Sequence, residues 1–344
     1  MDRRQFLASS TVLLAARPAP AAAAVRLGCD LFSLRAQGWT PFEHLDYCAR
    51  LGVKVVHFSE IRFIGSLERD NLLKVRDHAR RLGIEVEIGM RSICPTSKMF
   101  DAAQGTAEQQ AIRMIEAART VGSPIVRAVL GSMADRVGPV PIEGHIENTV
   151  KVLRAVRSRV LDAGLKVAIE NHAGDMQARE LKTLIEEAGK DFVGACLDSG
   201  NPLWAMEDPH LTLETLAPYV LTSHIRDSAV WRTPQGAAVA WTRMGEGNVG
   251  IDAYVRKYAE KCPGRALSLE VIVTGPRNFP FLDPKFWDAY RRTPAWEFAR
   301  FLALADHGTP RQAPPPVPKE KAIERERQDL ETSLAYTKKL LGES

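Results

Sequence analysis

The sequence predicts an α/β protein, a (β/α)8 TIM barrel with a C-terminal helical extension. Three observations predict it. Strand and helix signals alternate through eight units between Val25 and Gly308, which fits a barrel of roughly 250 residues better than an open doubly wound sheet. The strands are continuous apolar runs, as parallel strands are when helices cover them on the outside. The last four runs each carry, at or near the C-terminal end, a residue able to bind a hard or borderline metal, and a barrel gathers its strand ends around one pocket.

Residues 1–24 read as a targeting segment. Asp2-Arg3-Arg4-Gln5-Phe6-Leu7 resembles the twin-arginine export motif, with Asp2 where that motif usually has Ser or Thr. The apolar stretch Ser10–Ala16 is too short to span a bilayer, so no membrane anchor is expected. The Pro- and Ala-rich stretch Arg17–Ala24 offers small-residue cleavage sites. The expected location is periplasmic or otherwise exported.

The barrel is expected over residues 25–308. The first strand falls near Arg26–Ser33, before a helix over Pro41–Leu51. The second strand, Val53–Phe58, ends at Ser59-Glu60, and its helix covers Asn71–Leu82. The third strand, Glu85–Met90, leads to Arg91, and its helix covers Thr106–Val121. The fourth strand is Ile125–Leu130. Its long helix, Ile142–Ala163, buries Ile146, Val150, Leu153 and Val160, at helical spacing. Glycines 52, 83, 122 and 164 follow these helices, as C-terminal stops commonly do. The remaining helices are expected over Ala178–Ala188, Leu211–Leu216, Ile251–Lys261 and Ala295–Ala305, and Ser228–Gly250 reads as a long loop. Residues 309–344 form the extension. Thr309–Pro318 holds five prolines and reads as an extended linker. Lys319–Leu341 carries Ile323, Leu330, Leu334 and Leu341 on one helical stripe, expected against the barrel wall or a second copy in a homo-oligomer.

The chemistry is concentrated in the last four strands. Val167–His172 carries Glu170, Val193–Asn201 carries Asp198, Val220–Asp227 carries His224 and Arg265–Val273 carries Glu270. The spacings are 28, 26 and 46 residues; the first two are about one βα unit each, and the third spans the long loop. Three carboxylates and one imidazole suit one divalent ion, Mn²⁺, Mg²⁺, Co²⁺ or Zn²⁺. Such an ion, bound to a carbonyl oxygen and the adjacent hydroxyl, stabilises the enediolate formed when the α-proton leaves. Return of the proton gives an epimer or an isomer. A leaving group at the β position turns the same first step into an elimination, the reaction of a dehydratase or of a lyase acting on a 3-keto-glycoside or inosose.

Other strand ends supply candidate substrate-binding residues: His57 and Glu60 after the second strand, Arg91 after the third, and His172 after the fifth. Each is either a hydroxyl-binding group or a structural polar cap. Arg226 either orients a substrate oxygen or pairs with a neighbouring carboxylate. Trp204, Trp231, Trp241 and Phe281 are expected on loops at the same face, to stack on a sugar ring or to pack the loops.

From Val25 to Gly308 the chain resembles the xylose isomerase-like TIM-barrel superfamily, in its sugar-phosphate isomerase/epimerase branch. The resemblance rests on the E-N-H of the fifth strand (Glu170-Asn171-His172), on the H-x-[KR]-D motif at His224-Ile225-Arg226-Asp227, and on a G-E-G loop at Gly245-Glu246-Gly247. Asn248-Val249-Gly250 follows that loop, one residue longer than the usual spacing before Ile251-Asp252. The resemblance implies one divalent metal on Glu170, Asp198, His224 and Glu270, with Glu170 and Glu270 also moving the proton. It implies a sugar isomerase or epimerase. An exported enzyme would rarely meet phosphorylated sugars, and no phosphate cradle is evident, so an unphosphorylated keto-sugar or cyclitol is the expected substrate.

Charge and motifs weigh against other classes. Lys and Arg number 46 against 42 Asp and Glu, a formal charge of +4, too mild to argue for nucleic acid. An apurinic endonuclease of this barrel type needs D-x-x-H after the sixth strand, where this chain has Asp198-Ser199-Gly200-Asn201. A non-catalytic sugar-binding barrel would not need both Glu170 and Glu270. No G-x-G-x-x-G follows the first strand, which weighs against a dinucleotide fold. Five cysteines show no CxxC spacing, so neither a structural zinc site nor an essential disulfide is expected.

Overall fold

The computed structural model describes residues 24–342. The twin-arginine-like segment, all but its last residue, lies outside the described residues.

Eight parallel strands make the barrel. They are β1 (Arg26–Asp30), β2 (Val55–Phe58), β3 (Glu85–Ser92), β4 (Ile125–Val129), β5 (Lys166–Glu170), β6 (Val193–Asp198) and β7 (Val220–His224), and, after a hairpin of β8 (Asp227–Thr233) and β9 (Gly236–Thr242), β10 (Ala266–Leu269). A further strand, β11 (Arg277–Phe279), joins the hairpin. The barrel order is β10-β1-β2-β3-β4-β5-β6-β7. It closes where Ile225 bridges Leu269: Ile225 N donates to Ser268 O at 2.7 Å and Glu270 N to Ile225 O at 3.0 Å.

Helices α1 (Pro41–Arg50), α2 (Ile61–Ile64), α3 (Arg69–Leu82), α4 (Ala107–Val121), α5 (Ile142–Asp162), α6 (Ala178–Ala188), α7 (Pro209–Leu216), α8 (Ile251–Lys261) and α9 (Ala295–Asp306) follow in order. Their starts and stops are local chemistry. Thr40 and Glu43 form a capping box at α1, and Thr106 and Gln109 form one at α4. α3 stops at Gly83, whose φ of +68° suits glycine. Large aliphatic and aromatic side chains of strands and helices fill one continuous core.

The expected loop at Ser228–Gly250 is mostly sheet. β8 and β9 form an antiparallel hairpin that β11 extends. It was not legible as such because small residues occupy it: Ala229, Ala237, Ala238 and Ala240 are buried alongside Val230 and Val239. The apolar alternation of a one-sided strand is therefore missing. The seventh and eighth barrel strands are correspondingly shorter than expected, ending at His224 and Leu269.

The C-terminal helix α10 (Lys319–Leu341) docks on the barrel wall. Leu330 and Leu334 are buried beneath it, while Ile323 and Leu341 are half-buried. Polar contacts fix its position: Tyr47 Oη donates to Glu331 at 2.6 Å, Arg243 Nε to Asp329 at 2.6 Å and Lys338 Nζ to Leu51 O at 2.8 Å. All five cysteines are free and buried. Among the described residues, no helix is long and apolar enough to cross a membrane.

Candidate metal centre and active site

Sheet register sets the height of the acidic and imidazole groups. Asp198 pairs with His224 across β6 and β7, and Glu170 pairs with Cys196, one inward-facing position below Asp198. Glu270 follows Leu269, the partner of Ile225 at the closure. Glu170, Asp198, His224 and Glu270 therefore converge, and one ligand atom from each lies within 4.8 Å of every other. All four are buried.

The imidazole of His224 is aimed by its neighbours. Its Nε2 lies 2.9 Å from Nδ1 of His57, which leaves Nδ1 facing the carboxylates. That Nδ1 is 3.0 Å from Glu170 Oε2 and 3.4 Å from Glu270 Oε2, yet it makes no hydrogen bond. A buried ring nitrogen without a partner, facing three carboxylates, fits a metal ion. The donor set of three carboxylates and one imidazole fits a divalent one. Two guanidiniums offset part of the negative charge: Arg127 pairs with Glu170, its Nε at 2.6 Å, and Arg226 bridges Asp198 and Glu270.

These pairs decide ionisation. Burial, the largest single influence, pushes the Glu170 carboxyl up, but the Arg127 guanidinium and His224 together hold the group well below the carboxylate range. Burial likewise raises Glu270, and Arg226 and His224 together more than offset it. Asp198 is raised to about 7, because burial there exceeds the pull of Arg226.

Backbone and amide contacts lock the ligands. Asn171 clamps β5 to β6, donating to Asp198 O and accepting from Asp198 N, both at 2.9 Å. Asp198 Oδ1 accepts the N–H groups of Gly200 and Asn201, each at 2.7 Å. The Asn201 side chain donates to Glu170 Oε1 at 3.3 Å. Position 200 must be glycine, since a Cβ there would lie 2.5 Å from Arg226 Cδ. The Asp of His-Ile-Arg-Asp plays a structural part. Asp227 Oδ2 accepts from Gly245 N at 3.0 Å and Gly247 N at 2.8 Å, which ties down the G-E-G turn.

A cavity of about 300 Å³ opens above the ligands. Glu60, Arg91, His172 and Arg226 line it, and so does Glu270. The structure distinguishes the two glutamates. Glu270 is 7% exposed and lines the cavity; Glu170 is 1% exposed, covered by Arg127 and Asn201. His57 is a correction: it is fully buried behind His224 and does not reach the cavity. It orients a ligand rather than a sugar hydroxyl. His172 Nδ1 is held 2.6 Å from Gly131 O, and Ala173 beside it has a left-handed φ of 44°.

Of the two aromatic readings, packing describes these side chains, and Trp231 and Trp241 lie on strands rather than on loops. Trp204 and Trp241 stack on each other, 4.4 Å apart and 5° from parallel. Arg226 covers the outer face of Trp241 at 4.4 Å and Arg277 that of Trp204 at 4.0 Å. Neither indole keeps a face for a sugar ring. Their Nε1 groups are buried without a hydrogen-bond partner, and both residues line the cavity. Trp241 and Trp231 lie on strands of the hairpin, and Phe281 packs against Phe298 and Phe301.

Sequence reasoning missed Arg127 and the indole stack. Arg127 interrupts the apolar run Ile-Val-Arg-Ala-Val of β4, and a charge in mid-strand was the available signal.

Comparison with known proteins identifies the family and the fold. The model of xylose isomerase-like TIM barrels matches residues 45–283. The uncharacterized protein YihM of Escherichia coli K12 is 25% identical over 229 residues, 64% of this chain. The match spans 63% of that relative's own length, less than two thirds. The 3-oxo-isoapionate decarboxylase of Pectobacterium atrosepticum is 24% identical over 211 residues, 61% of this chain and 69% of the relative. Among solved structures, D-psicose 3-epimerase from Clostridium cellulolyticum H10 superposes with a TM-score of 0.60 at 12% identity, covering 93% of this chain and 100% of that one. The IolI protein with a bound zinc atom gives 0.56 at 14% identity, covering 91% and 99%. At these identities the superpositions show a common fold.

Proposed function

This chain belongs to the xylose isomerase-like TIM-barrel family, and from that premise we propose that it is a divalent-metal-dependent isomerase or epimerase of an unphosphorylated keto-sugar or cyclitol. The observation that carries the reading is the cluster of Glu170, Asp198, His224 and Glu270, with the partnerless His224 Nδ1 at its centre. These four residues would hold the ion. When bound, it would act as a Lewis acid toward a carbonyl oxygen and the neighbouring hydroxyl.

The protein's own groups supply the rest. Glu270, ionised and at the cavity floor, is placed to take a proton from the carbon beside the carbonyl and to return it. Glu170, the other glutamate expected to move a proton, is covered by Arg127 and Asn201 and outside the cavity wall, so its part would be to hold the ion. The Arg91 guanidinium in the cavity wall offers donors to sugar oxygens. Ile272, Val129 and Phe32 line the remaining wall and exclude water.

Elimination is the second reading. Proton removal beside the carbonyl is its first step too, with the electron pair then expelling the β leaving group; the decarboxylase among the relatives shares with both readings only the need to stabilise an enolate. Export through residues 1–24 belongs to the proposal, as does the absence of nucleic-acid substrates.

Deuterium uptake tests it. The metal-loaded protein is incubated in D₂O with free ketoses, inososes and 3-keto-glucosides and followed by proton NMR. Deuterium entering a carbon beside the carbonyl, and lost in Glu270→Gln, is expected. No uptake from any of them, with metal bound, would contradict the reading.

A further inference from the structure

Beside the cavity above the ligands lies a larger one, about 660 Å³ against about 300 Å³. The two share Glu60, Arg91 and Met99 in their walls, so they adjoin at those three side chains. The smaller lies at the low end of small-molecule sites, room for a single sugar ring. We propose that the larger cavity is an aglycone subsite: the substrate is a glycoside of a keto-sugar, whose keto-bearing ring sits over Glu270 and whose apolar ring lies in the second cavity.

The walls choose the chemistry. Met90 and Met114 are buried in the floor, Met99 stands at the junction, and Ile61 and Leu67 complete the apolar surface. Thioether side chains adapt to flat polarisable rings and make favourable sulfur–aromatic contacts. A second sugar would need buried polar partners, and the one fully buried amide is occupied: Gln110 Nε2 donates to Asp101 O at 2.8 Å and to Gly105 O at 2.9 Å. The junction differs from the floor. Arg62 pairs with Glu60, and Arg113 donates to Gln104 O at 2.6 Å. Arg91, which faces both cavities, makes no hydrogen bond or ion pair among the described residues. Its donors are available to the oxygens where sugar and aglycone join.

The subsite rests on the sugar reading above, and its test separates the two. Phenyl and methyl glycosides of glucose, galactose and xylose are titrated into the Mg²⁺-loaded full chain carrying ¹³C-methyl methionine. At least one phenyl glycoside is expected to bind ten-fold or more tighter than its methyl counterpart and to shift the Met90, Met99 and Met114 signals. Ala103→Trp, which fills the second cavity from its rim, removes that gain and leaves methyl-glycoside affinity unchanged. Equal affinities throughout, unmoved methionine signals, or a gain that survives Ala103→Trp would overturn the subsite. Deuterium uptake by a free keto-sugar without any phenyl preference would sink the subsite and keep the isomerase. Phenyl preference without uptake from any keto-sugar would do the reverse.

Discussion

His224 Nε2 lies 2.9 Å from His57 Nδ1, deep in the barrel. One nitrogen of each ring is thereby engaged, and His224 is left with a single orientation in which Nδ1 faces Glu170 and Glu270. Burial first, then the adjacent His224, holds His57 well below its ordinary range, so it stays neutral and serves as a fixed dipole. Replacing His57 with Ala removes the one hydrogen bond that the His224 ring makes among the described residues. The expected result is a loss of metal affinity of about 10–100-fold with the fold retained. Chelator competition, with circular dichroism as the control for folding, measures it.

Arg127 and Glu170 form a buried pair in which each neutralises the other. Arg127→Met leaves the Glu170 carboxylate unpaired inside the barrel. A stability loss of about 3–5 kcal/mol is expected in metal-free protein. Urea unfolding with and without Mn²⁺ reads it, and Mn²⁺ should restore part of the loss, because the ion supplies the missing positive charge.

The Arg226–Trp241–Trp204–Arg277 stack holds Arg226 beside the ligands and forms one wall of the cavity. Trp241→Ala opens a void and frees Arg226. It is expected to cost about 3–5 kcal/mol of stability, seen as a lower Tm, and to weaken sugar binding by the loss of a wall.

His44 provides a pH dependence away from the site. It is buried between Trp39 and Phe63, and its Nδ1 has no hydrogen-bond partner. Burial lowers its pKa to about 4, so the folded protein holds it neutral. The unfolded chain takes up that proton near pH 6.5, so the stability contribution is full above that pH. It is lost as the pH falls from there toward 4. Between pH 7 and pH 5 the loss is about 2 kcal/mol. His44→Phe should lack this part of the acid sensitivity, which denaturation curves at the two pH values would show by difference from the parent protein.

Much of the site could be read before the fold was known, and the reasons are physical. Glu170, Asp198, His224 and Glu270 each lie at or near the end of an apolar run, and polar groups in a buried strand stand out. Arg127 did not stand out, because one charge within Ile-Val-Arg-Ala-Val resembles a strand facing water, and its partner is 43 residues away. His57 was visible as a strand-end polar group, but its depth depends on the register of β1 with β2, where it pairs with Asp30. The hairpin was hidden by its alanines. The indole stack joins residues from β9 and from the turn after β6, a meeting that only tertiary structure creates.

Everything proposed for the reaction depends on Glu170, Asp198, His224 and Glu270 forming one divalent metal centre. Titrating the metal-stripped protein with Mn²⁺, while following the electron paramagnetic resonance of the free ion, decides whether they do. One tightly held ion per chain is expected, with that binding lost in His224→Ala and in Asp198→Asn while both variants stay folded. Stoichiometric binding that survives both substitutions, or no binding by the parent protein, would refute the metal centre.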